Sequence, residues 1–267
     1  MSKKFRNSLQ ILLNVAEAML KEIRHEHILN EVRIRNRVQL VDIARQLKVS
    51  EDTVRRDLKE LDQAGKLKKV HGGAVAKSFN PFSFHQEEIY DHANKAIIAQ
   101  KAIQLLRNRQ VILITGGTTN LEFVNLIPKE MHLTFFTPSL HVAMQLAHHK
   151  NIETILIGGK VSREAQIALG AEALNTLHLI HADLCFLGTG HLDPEHGLSE
   201  FDYDVVQLKR AMVRSSERVI SLTLSAKLNS KQQYKICDIN GIHTLVTELD
   251  PQSPLLDPFR KKGIQVI

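Results

Sequence analysis

Arg55 and Arg56 sit just inside a segment that opens Ser50-Glu51-Asp52-Thr53. The chemistry open to them is recognition of a phosphate or a guanine edge by a forked guanidinium. Ser50 is a good N-cap, and Glu51 and Asp52 fall in the first turn, where the helix dipole favours acids, so a helix starts here. Val54, Leu58 and Leu61 recur at i, i+4 and i+7 as its buried stripe, which leaves Thr53, Arg55, Arg56 and Lys59 for other faces. Leu40, Ile43, Ala44 and Leu47 predict a short helix before it, and Leu20, Ile23, His27, Ile28 and Val32 a longer one before that. Beyond Leu61, Ala64-Gly65 ends the helix, Lys66 to Val70 alternates as a strand, and His71-Gly72-Gly73-Ala74 turns. Two helices joined by a tight turn form a helix-turn-helix, whose second helix enters the major groove of double-stranded DNA. Ser50, Thr53, Arg55, Arg56 and Lys59 are its candidate DNA contacts, with Lys66, Lys68, Lys69 and His71 on a wing that meets backbone phosphate.

A second set of residues is suited to holding an anion. The run Gly116-Gly117-Thr118-Thr119-Asn120 follows Val111 to Ile114 and precedes a helical pattern. Glycines let backbone amides approach an anion, hydroxyls add donors, and a helix N-terminus adds partial positive charge. Thr137-Pro138-Ser139, Gly158-Gly159-Lys160 and Gly188-Thr189-Gly190 follow Thr134 to Phe136, Thr154 to Ile157 and Leu184 to Leu187 in the same manner. No G-K-[ST] follows the first loop and no G-x-G-x-x-G spacing occurs, so this is neither a P-loop nor a dinucleotide fingerprint. Small and hydroxylated residues after several strands fit the crevice at the carboxyl ends of a parallel sheet. Asp183, Glu200 and Asp202 offer carboxylates that would serve as sugar binders, as an acid/base set or as structural caps.

The elements that must position these groups fall into two modules. Residues 19–76 form the winged helix-turn-helix, and residues 94–267 alternate helical patterns with short β-branched runs, continuing at Val219 to Leu222, Thr244 to Val246 and Ile264 to Ile267. Such alternation implies an α/β domain with a mostly parallel sheet covered on both faces. Residues 77–93, with Phe79, Phe82 and Phe84 among Ser, Asn and Pro, read as a connector that packs on a domain or on a partner subunit. Residues 1–18 are an N-terminal extension, with too few apolar residues in a row for a membrane span and a core too broken for a secretory signal.

Charge supports the division. Residues 1–77 hold 17 Lys+Arg against 10 Asp+Glu, a net +7, whereas residues 78–267 hold 18 against 19, a net −1. A basic module joined to a near-neutral one is what a polyanion-binding segment with a separate body requires. Two cysteines without a C-x-x-C pair exclude a disulfide framework and a Cys-rich zinc site, and suit a reducing cytoplasm. The 14 histidines contain no H-E-x-x-H, so neither metal nor cofactor is expected.

The runs Met19-Leu-Lys-Glu-Ile-Arg-His25, Val49-Ser-Glu-Asp-Thr-Val-Arg-Arg-Asp-Leu58 and Gly65-Lys-Leu-Lys-Lys-Val-His-Gly-Gly-Ala74 resemble the N-terminal signature of the DeoR family of bacterial transcriptional regulators. Gly117-Thr-Thr119, Gly158-Gly159, Gly170-Ala171, Ala182 to Gly188, Gly197, Lys209-Arg-Ala211 and Ser225-Ala-Lys227 are similar to its sensor domain. Chains of that family commonly begin near the position of Met19; residues 1–18 are then an added amphipathic helix or the product of a start codon set upstream. The resemblance implies a sensor fold like that of ribose-5-phosphate isomerase and the coenzyme A transferases, binding a phosphorylated sugar without turning it over. It also makes Lys209 and Lys227 the side chains that add charge to the phosphate. Gly116, Gly117, Thr118, Thr119, Asn120, Thr137, Ser139, Gly158, Gly159, Asp183, Gly188, Lys209 and Lys227 are thus the candidate effector residues. Where the family often has Asp, Asn and Asp, this chain has Thr115, Pro138 and Leu224, which removes partners for sugar hydroxyls.

The expectation is a DNA-binding repressor of a carbohydrate operon, controlled by a phosphorylated metabolite and assembled at least as a homodimer. The alternative is a sugar-phosphate isomerase-like enzyme carrying an accessory nucleic-acid module, which would need a positioned base in the crevice.

Overall fold

The computed structural model describes residues 20–35, 37–76, 91–162 and 165–267. These form two compact units that divide between residues 76 and 91. The extension 1–18 and nearly all of the connector lie outside the described residues.

In the first unit, helix α1 (20–35) is followed by strand β1 (Arg37–Gln39), helices α2 (Leu40–Leu47) and α3 (Glu51–Gln63), and strands β2 (Leu67–Val70) and β3 (Gly73–Ala76). The turn between α2 and α3 is made by Lys48 in the left-handed region at φ 53° and by Ser50, whose hydroxyl accepts from the Thr53 amide at 3.2 Å. The core gathers Ile28 and Val32 of α1, Ile43 and Ala44 of α2, and Val54, Leu58 and Leu61 of α3. Leu20 and Ile23, which sequence spacing placed on the same stripe, are exposed.

The wing is more than the expected hairpin. β1 pairs with β3, so the sheet has three antiparallel strands in the order β1-β3-β2. Three residues between two helices are too short to show a period. Gly73 permits the pairing, since a Cβ there would meet the Val38 carbonyl oxygen at 2.0 Å.

The second unit opens with α4 (His92–Ile103), so the helix begins two residues inside the expected connector. It continues through β4 (Val111–Ile114), α5 (Thr118–Asn125), β5 (Leu133–Thr137), α6 (Leu140–Leu146), β6 (Ile152–Leu156), β7 (Lys160–Val161), β8 (Ala168–Leu169), α7 (Ala171–His178), β9 (Ala182–Gly188), β10 (His191–Asp193), β11 (Gly197–Glu200), α8 (Tyr203–Arg214), β12 (Ser216–Leu222), β13 (Tyr234–Cys237), β14 (Thr244–Val246), α9 (Asp257–Lys261) and β15 (Gln265–Val266). The seven β-branched runs are the seven strands of one sheet, in the order β15-β14-β12-β9-β4-β5-β6 with every neighbouring pair parallel.

Side chains on alternate positions explain the layers, because successive residues of a strand face opposite sides. Ile112 and Ile114, Leu184 and Phe186, and Ile220 and Leu222 pack with Ile98 of α4, Phe123 of α5 and Val142 of α6. Leu113, Cys185, Leu187 and Val219 pack on the other side with Leu177 of α7, Met212 of α8 and Phe259 of α9. β10, β11 and β13 form a separate antiparallel sheet, and β7 pairs with β8.

Candidate functional site

On α3 the sequence pattern becomes a surface. Val54, Asp57, Leu58 and Leu61 are buried, while Arg55, Arg56 and Lys59 are exposed. Lys66, Lys68, Lys69 and His71 are exposed on β2 and its flanks. Ser50 and Thr53 join hydroxyls at 2.9 Å as the cap. Arg55 Nη1 lies 2.5 Å from Asp52 Oδ1 on the same exposed face. The Asp62 carboxylate accepts from the Lys69 amide at 3.2 Å, tying β2 to the end of α3.

Asp57 was not singled out from the sequence, yet it is 2% exposed inside the stripe. Arg24 of α1 donates to it through Nε at 2.5 Å and Nη2 at 2.8 Å, and His25 Nε2 lies 3.2 Å away. Hydrogen bonding to Asp57 raises the Arg24 guanidinium above its already high ordinary value.

In the second unit the chain winds from β4 outward to β5 and β6, then returns to lay β9 on the other side of β4. The reversal makes the carboxyl ends of β4 and β9 a topological switch point, where open α/β sheets bind ligands. The two loops there are interlocked. Thr115 Oγ1 accepts from the Gly188 amide at 2.6 Å, and a Cβ on Gly188 would meet the Gly116 carbonyl oxygen at 2.6 Å. Gly116 also approaches the β5 loop, with Ser139 Oγ 3.0 Å from where its Cβ would stand. Gly117, the N-cap of α5, has φ 115° and open space in the direction a side chain would take. Thr118 and Thr119 form the first turn of α5, whose amides lack partners within the helix.

Other expected effector residues are engaged by the protein itself. Asn120 is fully buried, and its Nδ2 donates to the Thr115 carbonyl at 2.9 Å, Thr115 Oγ1 at 3.1 Å and the Gly116 carbonyl at 3.3 Å. The group left without a partner among the described residues is its Oδ1, an acceptor. The Asn120 side chain therefore offers no free donor to a phosphate, which corrects the expectation for its amide group and leaves the residue only its backbone N–H in the first turn of α5. Thr137 Oγ1 accepts from the Ser139 amide at 3.1 Å, and Ser139 Oγ caps α6 through Val142. Gly159 faces the Leu169 carbonyl, 2.5 Å from where its Cβ would be, so that glycine serves the approach of β8, while Gly158 meets no neighbour.

Lys209 donates to the Gly188 carbonyl at 2.9 Å and to Glu200 Oε2 at 3.2 Å, and is 7% exposed. Lys227 donates to the Thr189 carbonyl at 3.0 Å. Both ammonium groups thus hold the loop after β9. Asp183 is a clear correction: it is the second residue of β9 and accepts from the Val111 amide at 2.7 Å, at the amino ends of the strands and opposite the switch point. Asp202 caps α8 through the Asp204 and Val205 amides, a structural use that leaves no acid/base set.

Sequence reading missed Glu248. Its carboxylate accepts from the Ser225 amide at 3.0 Å, from Ser225 Oγ and from Thr247 Oγ1 at 2.8 Å. The departures Thr115 and Leu224 are likewise consumed, the first by the loop lock and the second by burial in the core. Burial pushes the Cys185 and Cys237 thiols up to about 12 and about 11, which keeps them protonated. Among the described residues no group of three His, Cys, Asp or Glu could hold a metal ion, and no helix is long and apolar enough to cross a membrane.

Comparison with known proteins adds the lineage. The models for a DeoR-like helix-turn-helix domain and for the DeoR C terminal sensor domain match residues 24–79 and 90–249. The HTH-type transcriptional regulator GolR of Listeria innocua is 32% identical over 246 residues, 90% of this chain and 94% of that protein. The glycerol-3-phosphate regulon repressor of Escherichia coli is 26% identical over 245 residues, 91% and 97% of the two chains. Ribose 5-phosphate isomerase A of Neisseria gonorrhoeae gives a partial likeness, with 16% identity, TM-score 0.39 and about half of each chain covered, 51% and 53%. With both domain models matched in order and a relative of over 30% identity spanning nearly the whole chain, the protein belongs to the DeoR family of DNA-binding transcriptional regulators, and is a regulator rather than an enzyme.

Proposed function

We propose that α3 and the β2–β3 wing read an operator of a carbohydrate-related operon, and that the switch point beyond β4 and β9 binds a small phosphorylated metabolite that controls this reading. The observation that carries the effector half is Gly117. Its positive φ and open Cβ direction lie at the start of an eight-residue helix, the arrangement in which backbone amides and the helix dipole meet an anion. The Glu200 and Glu248 carboxylates and the Asn120 Nδ2 are spent on internal hydrogen bonds, which favours a ligand with few hydroxyls. A three-carbon phosphate, as in the name of the E. coli relative, is favoured over a hexose phosphate.

Two copies are proposed to act together, since one winged helix-turn-helix covers too little DNA for tight specific binding and a two-fold pair matches half-sites one turn apart. Coupling of effector to DNA then needs only a few kcal/mol of differential affinity.

Thermal melting tests the effector half. Glycerol 3-phosphate and pentose and hexose phosphates are compared with their unphosphorylated parents. A ligand at 100 times its Kd stabilises by about 2.7 kcal/mol, a readily measured rise. The phosphates are expected to raise the melting temperature, the parents not, and Gly117→Val to erase the rise. No shift across the phosphate panel would overturn the reading.

A further inference from the structure

We infer that the Arg24–Asp57 pair sets the rotation of α3 about its own axis, which makes these two residues positioning and specificity-determining residues for the DNA reading made by Arg55 and Arg56. The inference rests on the proposed assignment of α3 as the reading helix.

The geometry that carries it is the bidentate fork. Arg24 Nε and Nη2 meet the two oxygens of Asp57 at 2.5 and 2.8 Å, across 33 residues of sequence and between two helices. His25, the next residue of α1, lies 3.2 Å from the same carboxylate, so two consecutive side chains bracket it. Asp57 is 2% exposed and the Arg24 side chain 18%. One turn along α3, Lys21 meets Glu60 at 2.5 Å, but that pair is largely exposed and worth little.

A helix turns by about 100° per residue, so fixing Asp57 towards α1 sends Arg55 and Lys59 to within about 20° of the diametrically opposite line. The apolar neighbours Val54, Leu58 and Leu61 fix by packing which face of the helix is buried, but their attraction carries no directional bond of its own. A fork-on-carboxylate pair is directional. At a side-chain radius of about 5–6 Å, a 20° roll of the helix displaces an exposed side chain by about 2 Å. That exceeds the tolerance of a hydrogen bond to a base edge.

A buried pair replaced whole by apolar residues often keeps or gains stability, whereas removal of one partner strands a charge. The whole-pair replacement therefore separates positioning from stability. The full-length protein is measured against an operator selected from random duplexes and against a non-specific duplex of equal length. Arg24→Leu/Asp57→Leu is expected to melt near the parent temperature, to keep its affinity for the non-specific duplex, and to lose at least about tenfold in the operator-to-non-specific ratio, within the range of one base contact. Arg24→Lys keeps the charge without the fork and is expected to lose at least about threefold in the ratio at unchanged melting temperature. If the double variant does not fold, Arg24→Lys alone decides.

Arg55→Ala/Arg56→Ala is the control. A collapsed ratio there, with an unchanged ratio in the double variant or in Arg24→Lys, would overturn the inference and leave the pair merely structural. An unaffected control would instead overturn the assignment of α3.

Discussion

Arg55, Arg56, Lys59 and Lys68 stand exposed with at most a neighbouring carboxylate for company, whereas Lys209 is 7% exposed and already spends its ammonium on Gly188 and Glu200. The difference teaches what each unit must recognise. A duplex arrives from outside as a polyanion with a groove to be filled, so its partners are best left solvated on rigid elements. In the proposed reading a small anion is met at the sheet's switch point by backbone, and that backbone is held in shape by side chains bonded to the loops themselves. Lys209, Lys227, Thr115 and Asn120 are such side chains, all directed at the carbonyls, amides and hydroxyl of the two loops.

The comparison breaks most readily at its first member. Replacing Arg55 and Arg56 together with Ala is expected to cost about 2–6 kcal/mol of operator affinity, at about 1–3 for each bidentate base contact. Stability should move by no more than about 0.5 kcal/mol, because both side chains are exposed. Footprinting and thermal melting of the same sample read the two quantities. Footprinting at parent affinity would end the claim that α3 reads the operator.

The second member predicts the reverse. Lys209→Met takes the ammonium away from the buried Glu200 carboxylate, which also accepts from the Phe201 amide at 3.1 Å, and breaking such a pair costs about 3–5 kcal/mol. Denaturant unfolding should show that loss while the affinity for non-specific DNA stays at the parent value. A Lys209→Met chain as stable as the parent would show that the ammonium is not needed to hold the loop.

Legibility from sequence divides along the same line. Each of the seven strands was visible as a β-branched run, because a buried parallel strand needs apolar side chains on both faces. α3 was visible through its cap and stripe. β1 was not, since Arg37-Val38-Gln39 is too short to show alternation, and neither was the β10-β11-β13 sheet, whose His191, Ser199 and Lys235 carry no apolar pattern. The Asn120 side chain was misread because its partners include the Phe186 carbonyl, 66 residues away, and no local rule reports which way an amide turns. Asp183 was misread because membership of a strand segment does not say which end of the sheet a residue occupies. Asp57 was overlooked for a related reason: a carboxylate in an apolar stripe becomes intelligible only once Arg24 and His25 are brought against it.

Buried charge in the second unit has a pH signature. Burial, partly offset by Asp91 and Glu122, lowers the Lys95 ammonium of α4 from 10.5 to about 8. Between those two values the unfolded chain keeps a proton that the folded chain has released, so the unfolded state binds more protons and stability rises with pH. The gap corresponds to at most about 3.5 kcal/mol. The parent should therefore gain stability from pH 8 to 10 relative to Lys95→Met, measured by urea unfolding at each pH. Parallel curves for the two chains would show that Lys95 titrates normally.

The smallest effects belong to the wing, and they sharpen the comparison within the first unit itself. Lys68 and Lys69 are exposed on β2, whose backbone is pinned to α3 through Asp62 and paired with β3 at Val75 and Ala74. In the proposed reading a lysine on a short strand so anchored meets phosphate as a point charge, where an arginine fork on α3 meets a base edge as a shape. Lys68→Ala or Lys69→Ala should therefore weaken operator and non-specific duplex by the same factor and leave their ratio unchanged. Each should also flatten the slope of log K against log salt by about 0.9, the counterion released at one phosphate contact. Titration at three salt concentrations reads both quantities. A ratio that falls with either lysine would mean that the wing reads bases as well as phosphate, and the division between a shape-reading helix and a charge-reading strand would have to be abandoned.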